Sequence, residues 1–105
     1  MNVLTYAFDL DGTLCSLAGG KYEDAKPFRK RIEHVNLLKN KGHRILIFTA
    51  RGATSKKDLT SLTLSQLSEW GLDFDELVMG KPHFDLLIDD KAISEEAYFT
   101  GVDVP

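Results

Sequence analysis

The chain has 105 residues, 43% of them hydrophobic and 28% charged, with a formal net charge of −3. That is enough for one compact domain over residues 1–105 and too little for two ordinary ones. The acidic balance and the lack of a basic run weigh against nucleic acid as a partner, because binding a phosphate backbone needs clustered Lys and Arg.

Taken in chain order, hydrophobic periodicity separates the elements. Val3 to Phe8 is short and apolar and reads as a buried strand. Leu14 to Lys26 is irregular, and Gly19-Gly20 suits the tip of a hairpin or flap. Pro27 to Asn40 carries Phe28, Ile32, Val35 and Leu38 at helical spacing, with Pro27 suited to the first turn and Gly42 to the stop. Arg44 to Thr49 is a second buried strand. Ser55 with Asp58 resembles a capping pair for a helix that buries Leu59, Leu62, Leu67 and Trp70 and ends at Gly71. Glu76 to Met79 and Asp85 to Ile88 read as third and fourth strands. Ser94 and the two glutamates after it can start a last short helix, and Val102 to Val104 can add an edge strand.

Apolar strands alternating with amphipathic helices imply an α/β fold: a three-layer, doubly wound (Rossmann-like) parallel sheet covered on both faces. Such sheets bind ligands beyond the carboxyl ends of their strands. Asp9-Leu10-Asp11-Gly12-Thr13 follows the first strand and Thr49-Ala50-Arg51 the second. Gly80-Lys81-Pro82 follows the third and Asp89-Asp90 the fourth. Asp9, Asp11 and Asp89 on one edge would repel one another, by roughly 4 kcal/mol per pair at about 4 Å and an effective dielectric of 20. Oxygen ligands without His or Cys suit a hard cation such as Mg²⁺, which makes room for a phosphate group. Lys81 and the Thr49 hydroxyl can then hold the remaining phosphoryl oxygens.

Cys15 is the only cysteine, which excludes an intramolecular disulfide and a cysteine-built metal site. Its plain reading is a small, partly buried apolar residue. The start Met1-Asn2-Val3-Leu4-Thr5 lacks the basic head and apolar stretch of a signal peptide. No apolar run approaches the ~20 residues of a membrane helix. A cytoplasmic protein with no membrane partner is expected.

Four segments together resemble the haloacid dehalogenase superfamily, in motif order and over nearly the whole chain. Phe8-Asp9-Leu10-Asp11-Gly12-Thr13 is similar to its first motif and Ile47-Phe48-Thr49 to its second. Lys81 is placed like the third-motif lysine, and Leu87-Ile88-Asp89-Asp90 like the acidic fourth motif. The resemblance implies a phosphatase in which Asp9 is the nucleophile and Asp11 the general acid/base. It makes Thr49 and Lys81 the phosphoryl clamps, and Asp9, the Asp11 main-chain carbonyl and Asp89 the Mg²⁺ ligands. Ala50 and Arg51 would contact substrate. Only the flap of about residues 14–26 interrupts the core, so the chain is similar to capless members, which often close their site by oligomerising. Around Arg51 and Lys81 it looks most like small phosphatases found with capsular-polysaccharide biosynthesis, which implies a sugar phosphate or related small metabolite.

Several residues have two readings. Asp90 either helps hold the metal, directly or through water, or takes no part, and Asp85 is either a site residue or an ordinary strand-entry acid. Arg51 is either a substrate contact or a structural ion pair, and Tyr22 either touches substrate or packs the flap. His83 is a candidate beside Lys81; His34 and His43 read as surface residues and Trp70 as core. Two other functions compete with the phosphatase reading. A receiver-like phospho-signalling domain places its phosphorylated Asp after the third strand, which does not fit this order. A catalytically weak fold used as a binding module keeps the motifs without the turnover.

Overall fold

The computed structural model of the protein describes residues 2–53 and 58–105. Strands β1 (Thr5–Phe8), β2 (Arg44–Phe48) and β3 (Glu76–Val78) form a parallel sheet in the order β1-β2-β3. Helix α1 (Arg29–Asn40) joins β1 to β2, α2 (Thr60–Glu69) joins β2 to β3, and α3 (Glu95–Gly101) follows. The chain is therefore an α/β protein with a parallel sheet, an arrangement consistent with a Rossmann-like fold.

Register decides which side chains share a face. Tyr6 pairs with Ile45, Phe8 with Ile47, and Ile47 with Leu77, so these five project to one side. There they join Ile32, Val35 and Leu38 of α1, Leu67 and Trp70 of α2's end, and Phe99 of α3 in a single core. Burying a side chain of the size of Ile45 or Ile47, both fully enclosed, contributes roughly 1.5–3 kcal/mol. Polar contacts fix how the helices meet. The Asn36 amide donates to the Gly71 carbonyl at 2.8 Å and accepts from the Asp73 amide at 2.8 Å. Arg31 pairs with Glu95 at 2.7 Å and stacks over the Phe99 ring at 4.5 Å. Ser94 caps α3, its hydroxyl accepting from the Ala97 amide at 3.2 Å.

The opposite face carries Thr5, Ala7, Arg44, Leu46, Phe48, Glu76 and Val78, and none of them belongs to the core. Among the described residues the sheet is thus covered on one face, in two layers rather than the expected three. The reason is topological. Both crossovers step the same way along the sheet, and right-handed crossovers in one direction lay their helices on one side.

The expected fourth strand does not form. Gly80 takes φ +77°, a conformation natural to glycine, and its amide bonds to the Arg51 carbonyl at 2.9 Å. The Lys81 amide bonds to the Thr49 carbonyl at 2.9 Å, and then Pro82, with no N–H to donate, leads the chain out of the sheet. Asp85–Ile88 makes no backbone–backbone hydrogen bond among the described residues. Leu86 is 75% exposed and Ile88 89%. Val102–Val104 is likewise no strand: it turns back so that the Val104 amide reaches the Phe99 carbonyl at 2.8 Å. Ser55, half of the expected capping pair, lies outside the described residues. Asp58 accepts from the Thr60 amide at 2.9 Å at the start of α2.

Candidate active site

The loop after β1 is a compact turn. The Leu10 carbonyl accepts from the amides of Thr13 at 3.0 Å, Leu14 at 2.8 Å and Cys15 at 3.2 Å. Gly12 takes φ +86°, and a Cβ there would approach the Leu17 side chain to 3.3 Å, so both backbone and space favour glycine. Leu10, Leu14 and Cys15 point inward and are fully buried, which leaves Asp9 and Asp11 to face outward. The flap then leaves and returns. Ser16 and Lys26 bond across its neck, with the Ser16 amide 2.8 Å from the Lys26 carbonyl and the Lys26 amide 2.9 Å from the Ser16 hydroxyl. Gly19 and Gly20 form its tip, as expected.

Asp9 is oriented from both sides. Lys81 Nζ lies 3.1 Å from its Oδ1, and the Thr13 hydroxyl donates to its Oδ2 at 3.2 Å. The Lys81 ammonium also sits over the rings of Phe48 at 5.2 Å and Phe84 at 5.7 Å. Its side chain is 15% exposed, against 40% for Asp9, so the carboxylate remains open to a ligand while its cation is held behind.

Asp11 is held differently. The Arg51 guanidinium grips it with a two-pronged fork, Nε to Oδ2 at 2.9 Å and Nη2 to Oδ1 at 2.8 Å. The remaining nitrogen, Nη1, donates to the Thr63 hydroxyl at 3.1 Å and to the Gln66 carbonyl oxygen. The Arg51 side chain has no solvent exposure. Cys15 Sγ lies 3.5 Å from Asp11 Oδ1. Burial first, then the Asp11 charge and this hydrogen bond, push the thiol up to about 12. Cys15 is a packing residue and no nucleophile.

These groups border a cavity of about 570 Å³. Its floor is Asp9, Asp11, Ala50, Arg51 and Lys81; the flap supplies Leu17 and Tyr22, and the other wall is Pro82, His83 and Phe84. Asp9, Asp11, Ala50 and Lys81 stand where the strand-end pattern expects them. Thr49 does not line the cavity: it is buried, and its hydroxyl accepts from the Arg51 amide at 3.1 Å. Arg51 also borders the cavity, but its guanidinium is spent on Asp11, Thr63 and Gln66, so of its two readings the structure shows the ion pair. Asp89 is not gathered with Asp9 and Asp11, and among the described residues no group of three metal-ligating side chains forms. The cause is the missing fourth strand, which leaves Asp89 and Asp90 exposed. The Asp89 carboxylate accepts from the Lys91 amide at 3.0 Å, and chiefly that bond lowers its pKa. His83 borders the cavity and Asp85 does not.

Thr13, Thr63 and Gln66 also serve the site, although the strand-end pattern assigns none of them a role. Thr13 sits within the Asp-x-Asp-Gly-Thr run. Thr63 and Gln66 are polar residues on the buried stripe of α2 beside Leu67, and that misplaced polarity was the available signal.

Among the described residues the two carboxylates are therefore each matched by one cation, Asp9 by Lys81 and Asp11 by Arg51. No family model and no curated protein matches the chain. In structure it is similar to a crystallographic structural-genomics target from Vibrio cholerae, with TM-score 0.77 and 23% identity over 91% of this chain and 87% of that one. A likeness at that identity shows the fold alone. No helix among the described residues is long and apolar enough to cross a membrane.

Proposed function

We propose that the protein is a phosphomonoester hydrolase of the haloacid dehalogenase type, with Asp9 as nucleophile and Asp11 as general acid/base. The observation that carries this reading is the state of Asp9. It is a carboxylate at a strand's carboxyl end, open to a cavity, oriented through both oxygens and backed by an ammonium ion. An Asp9 oxygen attacks phosphorus, and the bond from phosphorus to the ester oxygen breaks. Asp11 gives that leaving oxygen its proton. Asp11 then takes a proton from the water that attacks the aspartyl phosphate, which releases inorganic phosphate and restores the Asp9 carboxylate. Lys81 offsets the negative charge on the transferring group.

Mg²⁺ belongs to the proposal as cofactor. The donors are all oxygen, which suits a hard cation. Asp9 and the Asp11 main-chain carbonyl would hold it; Asp89, the expected third ligand, stands apart from them in this structure. When bound, it supplies further positive charge to the phosphoryl oxygens. The cavity volume suits a small phosphorylated metabolite such as a sugar phosphate, and a second copy of the chain would cover its open mouth.

Release of inorganic phosphate from p-nitrophenyl phosphate, with and without Mg²⁺, tests the reading. Turnover should require the metal and fall by at least about a thousandfold in Asp9→Asn. Undiminished turnover in that variant would falsify the nucleophile assignment.

A further inference from the structure

Arg51 is the most thoroughly anchored polar side chain in the described structure. A buried guanidinium is costly unless every direction is satisfied, and a well-packed apolar residue often serves stability as well or better. What the fork adds is geometry: it fixes the plane of the carboxylate it grips. Arg51 is itself fixed from four sides. Its amide bonds to the Thr49 hydroxyl at 3.1 Å at the end of β2. Its carbonyl accepts from the Gly80 amide at 2.9 Å, next to Lys81. Thr63 and Gln66 hold Nη1 from α2. The Tyr22 ring of the flap covers the guanidinium at 4.7 Å, and the Gln66 amide donates to the Tyr22 carbonyl at 2.7 Å. Each carboxylate oxygen has two acceptor sites; on Oδ1 the fork and the Cys15 thiol take both, so Oδ2 keeps one for the transferred proton.

Building on the phosphatase reading, we infer that Arg51 is a positioning residue. It holds the Asp11 carboxyl in the attitude for proton exchange with the leaving oxygen, and through Gln66 it ties that attitude to the flap at Tyr22. It does not touch substrate. Loss of the fork should therefore harm leaving groups that need a proton and spare those that do not.

The test compares kcat/KM for an alkyl phosphate, glycerol 3-phosphate, and for p-nitrophenyl phosphate, whose nitrophenolate departs unprotonated. Arg51→Lys keeps the charge and removes the fork. It should lower kcat/KM on the alkyl ester at least about tenfold more than on the aryl ester, a fraction of what general acid catalysis contributes. Gln66→Leu, which leaves the ion pair in place, should show the same bias at smaller size and serves if Arg51→Lys does not fold. Equal losses on both esters would make Arg51 a purely structural residue and overturn the inference. A raised KM with kcat unchanged would make it a substrate contact and overturn it too. Wild-type protein inactive on both esters would instead sink the phosphatase reading, and the inference with it.

Discussion

Between Asp9 and Arg51 the polar side chains of the cavity floor are tied to named partners, whereas from Phe84 to Ile88 the chain carries its apolar side chains into solvent. Both regions lie just beyond the sheet. The first follows strands paired in register and inherits their positions. The second follows Gly80 and Pro82, which end its connection to the ladder. The electrostatics of the Asp9 and Asp11 centre are thus set before residues 85–90 contribute anything. A charged site is pre-organised by the cations already fixed behind it, here Lys81 and Arg51.

If that comparison holds, the largest effect should come from the built side. Lys81→Ala removes the cation that, among the described residues, bonds to Asp9, and should lower kcat about a hundredfold on p-nitrophenyl phosphate, with little change in the urea midpoint. A loss under threefold would mean that Lys81 merely packs between Phe48 and Phe84. Stability should divide the same way. Ile47→Ala empties a fully buried position and should cost about 2–5 kcal/mol in urea unfolding. Ile88→Ala, at a position 89% exposed, should stay within about 0.5 kcal/mol. A cost near that of Ile47→Ala would break the comparison, because it would show the 85–88 segment packed in solution.

Most of the fold could be read in advance where local and tertiary signals agree. The three paired strands and three helices lie within a few residues of where periodicity puts them, and Ser94 caps α3 as read. Leu86-Leu87-Ile88 misled because an apolar run states only a wish for burial. Whether it becomes a strand depends on reaching an open sheet edge, which periodicity does not encode. The same limit applies to face coverage, which follows from strand order. In the site, Asp9, Asp11 and Lys81 could be read from their places after strands. The Arg51 ion pair was one of two readings of that residue, and its partners could not be named, because Asp11 and Thr63, Gln66 and Tyr22 are brought together only by the crossover of α2 and the fold of the flap.

A smaller effect should appear with pH at the α1–α3 contact, whose residues do not line the cavity. His34 bonds to the Tyr98 hydroxyl at 2.8 Å and lies edge-on to the Tyr98 and Phe99 rings. Burial first, and the Lys41 charge second, lower its pKa below 6.5. The unfolded chain therefore binds this proton more readily than the folded one. Stability from this group is complete above pH 6.5 and falls as pH drops through the lower folded value. Urea midpoints should decline from pH 7.5 to 5.5 in the wild type and decline less in His34→Gln; equal slopes would remove His34 as the cause.

Cys15 gives the smallest signal and the sharpest probe of the built side, since it lies directly beneath Asp11. With its pKa pushed up to about 12, only about one thiol in ten thousand is ionised at pH 8, and only the thiolate alkylates. Enclosure by Leu10 and Leu14 removes access as well. Iodoacetamide at pH 8 should leave the folded protein unmodified over hours and label it fully in urea, as read by intact mass. Weakening the turn should expose the thiol, so Gly12→Ala, which forces a Cβ toward Leu17 at φ +86°, should speed native-state labelling. Rapid labelling of the folded wild type would mean that the 10–15 turn opens readily. In that case the fixed geometry of Asp9 and Asp11, on which the contrast with the exposed 84–88 segment rests, would not persist in solution.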